Sequence, residues 1–281
     1  MSWHSIARSG GVLRGVDEGS GIPVVFQHGL GADECQVAQI FPTTGSLRRL
    51  TLECRAHGRS DPFPLSPYTI EAFADDVLAF ADARGVDRFV AGGISMGAAI
   101  ALRLAVRASD RVSALVLARP AWLWGAAPSN MRAFSEVSAH LVALGAERGC
   151  EGFGKSATAA HLAEVAPDNL ASMMKFFDRP APEVTARLLA SISTDGPGVT
   201  QEQVSRIDVP TLVIGHGSDY VHPLSYAKEL ANCIPGAQFV EITPKVTDMA
   251  LYVSDFRAAL NGFLGHPACG MGASHTFGEI R

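Results

Sequence analysis

Six short apolar runs, separated by helical or turn-rich stretches, constrain this chain more than any other feature. Residues 22–27, 50–54, 89–94, 112–118, 210–214 and 238–242 are rich in β-branched side chains and apolar at nearly every position. A strand with one wet face alternates apolar and polar residues. A strand that is apolar throughout is covered on both faces, the condition of a parallel sheet with helices above and below it. Between two of these runs Ile70, Phe73, Val77, Phe80 and Ala81 recur at three- and four-residue spacing, with Glu71 in the first turn and Gly85 after the last turn. That pattern predicts a helix over 69–84. Ile6 and residues 12–16, with Gly10 and Gly11 between them, predict a small antiparallel hairpin at one sheet edge. The expected fold class is α/β: a mostly parallel twisted sheet flanked by helices.

The alternation breaks between about 121 and 203, a stretch of helix formers without a convincing strand. A helical insertion after one strand of an open sheet sits above the sheet's C-terminal edge, where ligands bind. The expected organisation is therefore a core of 1–120 and 208–264, a helical cap of 121–207, and a tail of 265–281. Trp122 and Trp124 in the cap are expected to help wall an apolar pocket, although packing of the cap onto the core accounts for any one of its aromatics equally well. The tail is Gly-rich and without periodicity. Its His266, Cys269 and His275 match no structural zinc spacing, and no metal or cofactor is expected.

Composition narrows the function. The 281 residues are 47% hydrophobic and carry 23 Lys+Arg against 28 Asp+Glu, a net charge of −5. No basic stretch is available to neutralise a phosphate backbone, so a nucleic-acid partner is not expected. No apolar run approaches the roughly 18 residues that span a bilayer, and no membrane association is expected. Five scattered cysteines without a CxxC pair suit reduced thiols. With no secretory signal visible, the expected location is the cytoplasm, and a homodimer is a candidate assembly.

The chemistry is concentrated in four motifs. Gly93-Ile94-Ser95-Met96-Gly97 follows an apolar strand and opens a run of small helical residues, Ala98-Ala99-Ile100-Ala101. A nucleophile on a tight strand-to-helix turn needs an unusual backbone angle, and glycines two before and two after it remove the side chains that would collide. His28-Gly29-Leu30-Gly31 follows another strand and can present a backbone N–H to an oxyanion. Leu30 is the expected donor, paired with the N–H of Met96. Arg55-Ala56-His57-Gly58-Arg59-Ser60-Asp61 forms a turn after the next strand. Gly215-His216-Gly217-Ser218-Asp219-Tyr220-Val221-His222-Pro223 places Asp219 just beyond a strand end, where a carboxylate would orient a histidine.

With these motifs in order over about residues 10–264, the chain resembles the α/β-hydrolase fold family, and in particular its serine-esterase-like members. The resemblance implies an oxyanion loop at His28-Gly29, a nucleophile elbow at Ser95 and a catalytic acid at Asp219. The other position that family uses for the acid reads Arg119-Pro120 here and holds no carboxylate. The chain departs from the pattern at the base. The family's histidine is expected near Val246 or Thr247, and the residues present are Pro244-Lys245-Val246-Thr247-Asp248-Met249. A serine hydroxyl attacks poorly unless a base takes its proton. His222, three residues past Asp219, Lys245 as a desolvated amine, and Asp248 acting through a water are the three conceivable substitutes.

The expectation is a hydrolase of a small carboxylic ester or lactone, with Ser95 and Asp219 catalytic, Leu30 and Met96 as oxyanion donors, and His28, Gly29, Trp122, Trp124 and His222 contacting the small-molecule substrate. The alternative is a non-catalytic or weakly catalytic small-molecule-binding protein on the same scaffold. A carbonyl-polarising addition or lyase-like reaction is a third reading.

Overall fold

A computed structural model describes residues 2–42, 45–65 and 67–265. The tail and its His266, Cys269 and His275 lie outside the described residues. The strands are β1 (Ser2–Arg8), β2 (Gly11–Gly19), β3 (Ile22–Gln27), β4 (Leu47–Glu53), β5 (Phe89–Ile94), β6 (Val112–Ala118), β7 (Thr211–Gly215) and β8 (Gln238–Glu241). The helices are α1 (Glu34–Ile40), α2 (Ile70–Ala83), α3 (Met96–Arg107), α4 (Arg132–Gly154), α5 (Ala157–Val165), α6 (Pro167–Met174), α7 (Pro182–Thr194), α8 (Gln201–Val204), α9 (Leu224–Cys233) and α10 (Met249–Leu264).

The strands form one eight-stranded sheet in the order β1-β2-β4-β3-β5-β6-β7-β8. The β1–β2 and β2–β4 pairs are antiparallel, and the rest of the sheet is parallel. Five of the six apolar runs read as doubly covered are covered on both faces; the sixth is the edge strand β8, where Gln238 and Glu241 are exposed and Phe239 and Val240 half-buried, because nothing pairs beyond it. Val24, Phe26, Val90 and Val116 point to one side, where they meet Val37 and Ile40 of α1 and Tyr252, Phe256 and Leu260 of α10. Val25, Ala91, Leu115 and Val213 point to the other, against Phe73, Val77 and Phe80 of α2 and the apolar face of α3. Alternate residues of each strand thus anchor different helices, as a two-residue side-chain period requires.

Sequence and structure differ at β4, which begins at Leu47 rather than 50. Arg48 and Arg49 interrupt the apolar pattern, but both charges are neutralised in place, Arg48 by Asp17 of β2 at 2.7 Å and Arg49 by Glu34 of α1 at 2.6 Å. The helix expected over 69–84 is α2. Its N-cap Thr69 accepts the Ala72 N–H at 3.1 Å, and Gly85 leaves it at φ 65°. Among the described residues, no strand lies between β6 and β7. The intervening chain is α4 to α8 with short 3₁₀ turns, and α4 is interrupted at Gly145. Among the described residues no helix is long and apolar enough to cross a membrane.

Candidate active site

Ser95 occupies the turn between β5 and α3, at φ 57° and ψ −110°, a region that residues with a Cβ avoid. Its N–H bonds the Ala118 carbonyl at 2.9 Å, fixing the turn to the end of β6. The flanking glycines are required by close approach. A Cβ on Gly93 would stand 2.4 Å from the Gly97 carbonyl carbon, and one on Gly97 would stand 2.3 Å from the Gln27 carbonyl oxygen. The Gln27 carbonyl belongs to the interior strand β3 and has nowhere to move. Gly97→Ala is therefore expected to destabilise the protein by about 3 kcal/mol, read as a lower urea midpoint with an unchanged slope.

The loop after β3 faces this turn, and a Cβ on Gly29 would stand 3.5 Å from Ser95 Cβ. Two of its amide groups are committed. Gly29 N–H donates to Gln36 Oε1 at 2.7 Å, and Gly31 N–H donates to His57 Nε2 at 3.0 Å. The Leu30 N–H has no hydrogen-bond partner among the described residues. Met96 is the first residue of α3, where an N–H precedes the helical ladder. The loop is held from below by two buried histidines. His28 Nε2 accepts the Cys54 N–H at 3.1 Å and its Nδ1 lies 2.8 Å from the Gly29 carbonyl; His57 Nδ1 lies 2.9 Å from the Arg55 carbonyl. Burial pushes His28 down to about 4 and His57 well below the usual imidazole range, so both are neutral structural rings. Arg179, just past α6, adds a tie from above, donating to the Gly31 carbonyl at 2.9 Å and the Ala56 carbonyl at 2.6 Å.

The loop after β7 holds Asp219, the residue expected from sequence to be the acid. Asp219 is buried against Arg119, whose Nη2 and Nε reach its Oδ2 at 2.6 and 3.0 Å. The end of β6, which lacks a carboxylate, thus supplies the counter-charge for the one after β7. His222 Nδ1 lies 2.9 Å from each Asp219 carboxylate oxygen and 3.2 Å from Arg119 Nη2. A guanidinium only donates, so one Nδ1 cannot bond both partners. Burial opposes ionisation of Asp219, but the Arg119 and His222 contacts outweigh it and hold the carboxyl well below its usual range. A carboxylate with two oxygens at 2.9 Å demands a proton on Nδ1, which leaves the lone pair on Nε2. Nε2 has no hydrogen-bond partner among the described residues. Burial, opposed by Asp219 and assisted by Arg119, lowers the His222 pKa and keeps the ring neutral at pH 7.

The segment expected to hold a histidine behaves differently residue by residue. Val246 and Thr247 are exposed. Asp248 is the N-cap of α10, accepting the Ala250 and Leu251 N–H groups at 2.8 and 2.9 Å, so its carboxylate is engaged in capping rather than available as a base. Lys245 turns inward, with Nζ 4.9 Å from the centre of the Tyr252 ring. Burial, with Arg119 nearby, pushes its ammonium down to about 8.

These loops and the helical segment enclose a cavity of about 200 Å³. Gly29, Leu30, Ser95 and His222 line it from the sheet side, and Phe134, Met173 and Phe176 from the helical side. The Ser95 hydroxyl makes no hydrogen bond to the described residues. Three expected substrate contacts are not in this wall. His28 lies fully buried beneath the loop, because both its ring nitrogens are used there. Trp122 is core, its Nε1 donating to the Asp195 carbonyl at 2.9 Å, and Trp124 is half-buried against the same core. Arg119, Lys175, Arg179 and Gln36 line the cavity and were not singled out from sequence. Of these only Arg119 carried a signal, a cation standing where an acid belongs.

Comparison with known proteins agrees with this architecture. A sequence model of the alpha/beta hydrolase fold matches residues 22–144. The chain is 28% identical over 213 residues to a putative carbamate hydrolase, RutD, of Klebsiella pneumoniae subsp. pneumoniae, covering 72% of this chain and 77% of that one. It is 26% identical over 220 residues to 3-oxoadipate enol-lactonase 1 of Acinetobacter baylyi, covering 77% and 78%. The crystal structure of the enol-lactonase from Burkholderia xenovorans LB400 matches with a TM-score of 0.71 at 24% identity, over 94% of this chain and all of that one, a likeness of fold.

Proposed function

The chain has the α/β-hydrolase fold, and on that premise we propose that it hydrolyses a small carboxylic ester or lactone, with Ser95 as nucleophile and His222 as base. The observation that carries this reading is the meeting, in one cavity, of an unbonded serine hydroxyl and a neutral imidazole whose free nitrogen is Nε2. The names of its relatives, a carbamate hydrolase and an enol-lactonase, accord with a hydrolase.

In this reading Ser95 Oγ attacks the substrate carbonyl as His222 Nε2 takes its proton, and the developing oxyanion is held by the N–H groups of Leu30 and Met96. Asp219 keeps the His222 proton on Nδ1 and stabilises the imidazolium as it forms. The imidazolium then protonates the leaving alkoxide, and a water, deprotonated by the same Nε2, releases the acid and regenerates Ser95. The helical segment serves as a cap that shapes the acyl site. Lys245 is the weaker candidate for the base, since an amine at about 8 is still about nine-tenths protonated at pH 7.

A second reading, a small-molecule binder without turnover, draws support from Arg119, which neutralises the acid that would assist the imidazole. Incubation with a fluorophosphonate separates the two. A covalent adduct on Ser95, found by peptide mass spectrometry and absent after denaturation before labelling, is the expected result. No adduct at millimolar probe would favour the binder.

A further inference from the structure

The cavity wall holds positive charges with no carboxylate on the wall itself; the negative fields acting on them come from Asp33 at Arg179 and from Asp168 and Asp219 at Lys245. Lys175, Arg179 and Lys245 all line it, and no Asp or Glu does. Among the described residues, none of the three makes a salt bridge; the fourth cation, Arg119, is committed to Asp219. Arg179 donates only to two backbone carbonyls, and its Nε is buried without a partner. Lys245 has the face of Tyr252 and no oxygen. Lys175 stands at the opening, on the helical side. All this occurs in a chain whose net charge is −5.

Cations gathered around one cavity repel one another, and the two that are partly buried, Arg179 and Lys245, also lose hydration, while Lys175 stays exposed. Burial, opposed by Asp33, lowers the pKa of Arg179, and burial with Arg119 and Lys175, opposed by Asp219 and Asp168, lowers that of Lys245. Such an arrangement is unfavourable in the empty protein and becomes favourable when an anion enters. Two features favour a carboxylate over a phosphate. The Gly29 and Gly31 amides, which would be needed for a phosphate-cradling nest, are already bonded to Gln36 and His57. The cavity is also small, about 200 Å³.

We propose that this site selects a substrate bearing a second, ionised carboxylate a few bonds from the scissile carbonyl, held by Lys175 and Lys245 with Arg179 supporting the field. The inference rests on the ester or lactone reading for its reaction, and on the cavity alone for its binding.

The test has a binding arm and a kinetic arm. In calorimetric titration of the intact chain at low salt, glutarate is expected to bind at least about tenfold more tightly than the neutral glutaramide, as one charge-assisted contact allows. Lys245→Met and Lys175→Met should each reduce that ratio severalfold, and added NaCl should do the same. In the kinetic arm, kcat/KM for 4-nitrophenyl hydrogen glutarate should exceed that for its methyl ester by about tenfold, mainly through KM. In the double Lys→Met variant the ratio should fall toward one. Selective binding of glutarate without hydrolysis of either ester would sustain this inference and remove the serine-hydrolase reading. Equal binding of glutarate and glutaramide with Ser95-dependent hydrolysis of both esters would overturn this inference and leave that reading intact. Tighter binding of inorganic phosphate than of glutarate would also overturn it.

Discussion

Ser95→Ala is expected to lower kcat toward an activated ester such as 4-nitrophenyl acetate by about 10⁴-fold or more, because triad members act as a unit and losing the nucleophile removes the covalent route. The pre-steady-state burst of nitrophenolate should vanish with it. Any residual rate would report the oxyanion donors alone, with water as the nucleophile. The variant is a fair test because it preserves the site around it. The turn at 95 is held by backbone, through the Ala118 carbonyl and the glycines at 93 and 97, so deleting Oγ leaves Leu30, Met96 and His222 in place. An alanine variant within tenfold of the wild type would mean that the hydroxyl is not the nucleophile.

The second large effect is expected at the base. His222→Gln should cost on the order of 10³-fold in kcat, within the range for removing a general base. The pH profile should identify which group has been removed. A base works when unprotonated. His222 is pulled below 6.5 by burial and by the Arg119 and Lys245 charges, with Asp219 opposing. Activity toward a neutral ester should therefore be full above the ordinary imidazole range and fall as pH drops through a value below 6.5. Were Lys245 the base, activity would instead climb through about 8, the position of its ammonium. A wild-type rise centred near 8, together with near-normal turnover in His222→Gln, would transfer the role to Lys245.

How much of this was legible beforehand depended on whether the cause was local. The apolar runs specified the sheet because double coverage leaves a compositional trace in each interior strand, while the edge strand β8 carries Gln238 and Glu241 on its exposed positions. Ser95 was legible because the glycines around it answer a clash within its own turn. Thr69 and Gly85 bounded α2 for similarly local reasons. The Arg119–Asp219 pair joins residues a hundred positions apart, and nothing near either one announces the other. The two tryptophans illustrate the same limit. Being large and apolar suits both core and pocket wall, and only the docking of the helical segment decides between them. Lys245 reads as an ordinary loop charge until its chain turns inward over Tyr252. The vacant position at 246 and 247 was plain from the sequence, yet which of His222, Lys245 or Asp248 faced the cavity was a question of three dimensions.

Asp219 and His222 are three residues apart on a single connection, and that loop also supplies the His222 N–H bond to Asp219 Oδ1 at 3.1 Å. The alignment of imidazole and carboxylate is therefore set within one short stretch of backbone, and α10 enters only through Tyr252, which lies against the Arg119 that pairs with Asp219. A histidine carried on the last loop would tie catalysis to the register of β8 and α10; here imidazole and carboxylate travel together, and what the C-terminal end must keep narrows to Lys245 and Tyr252.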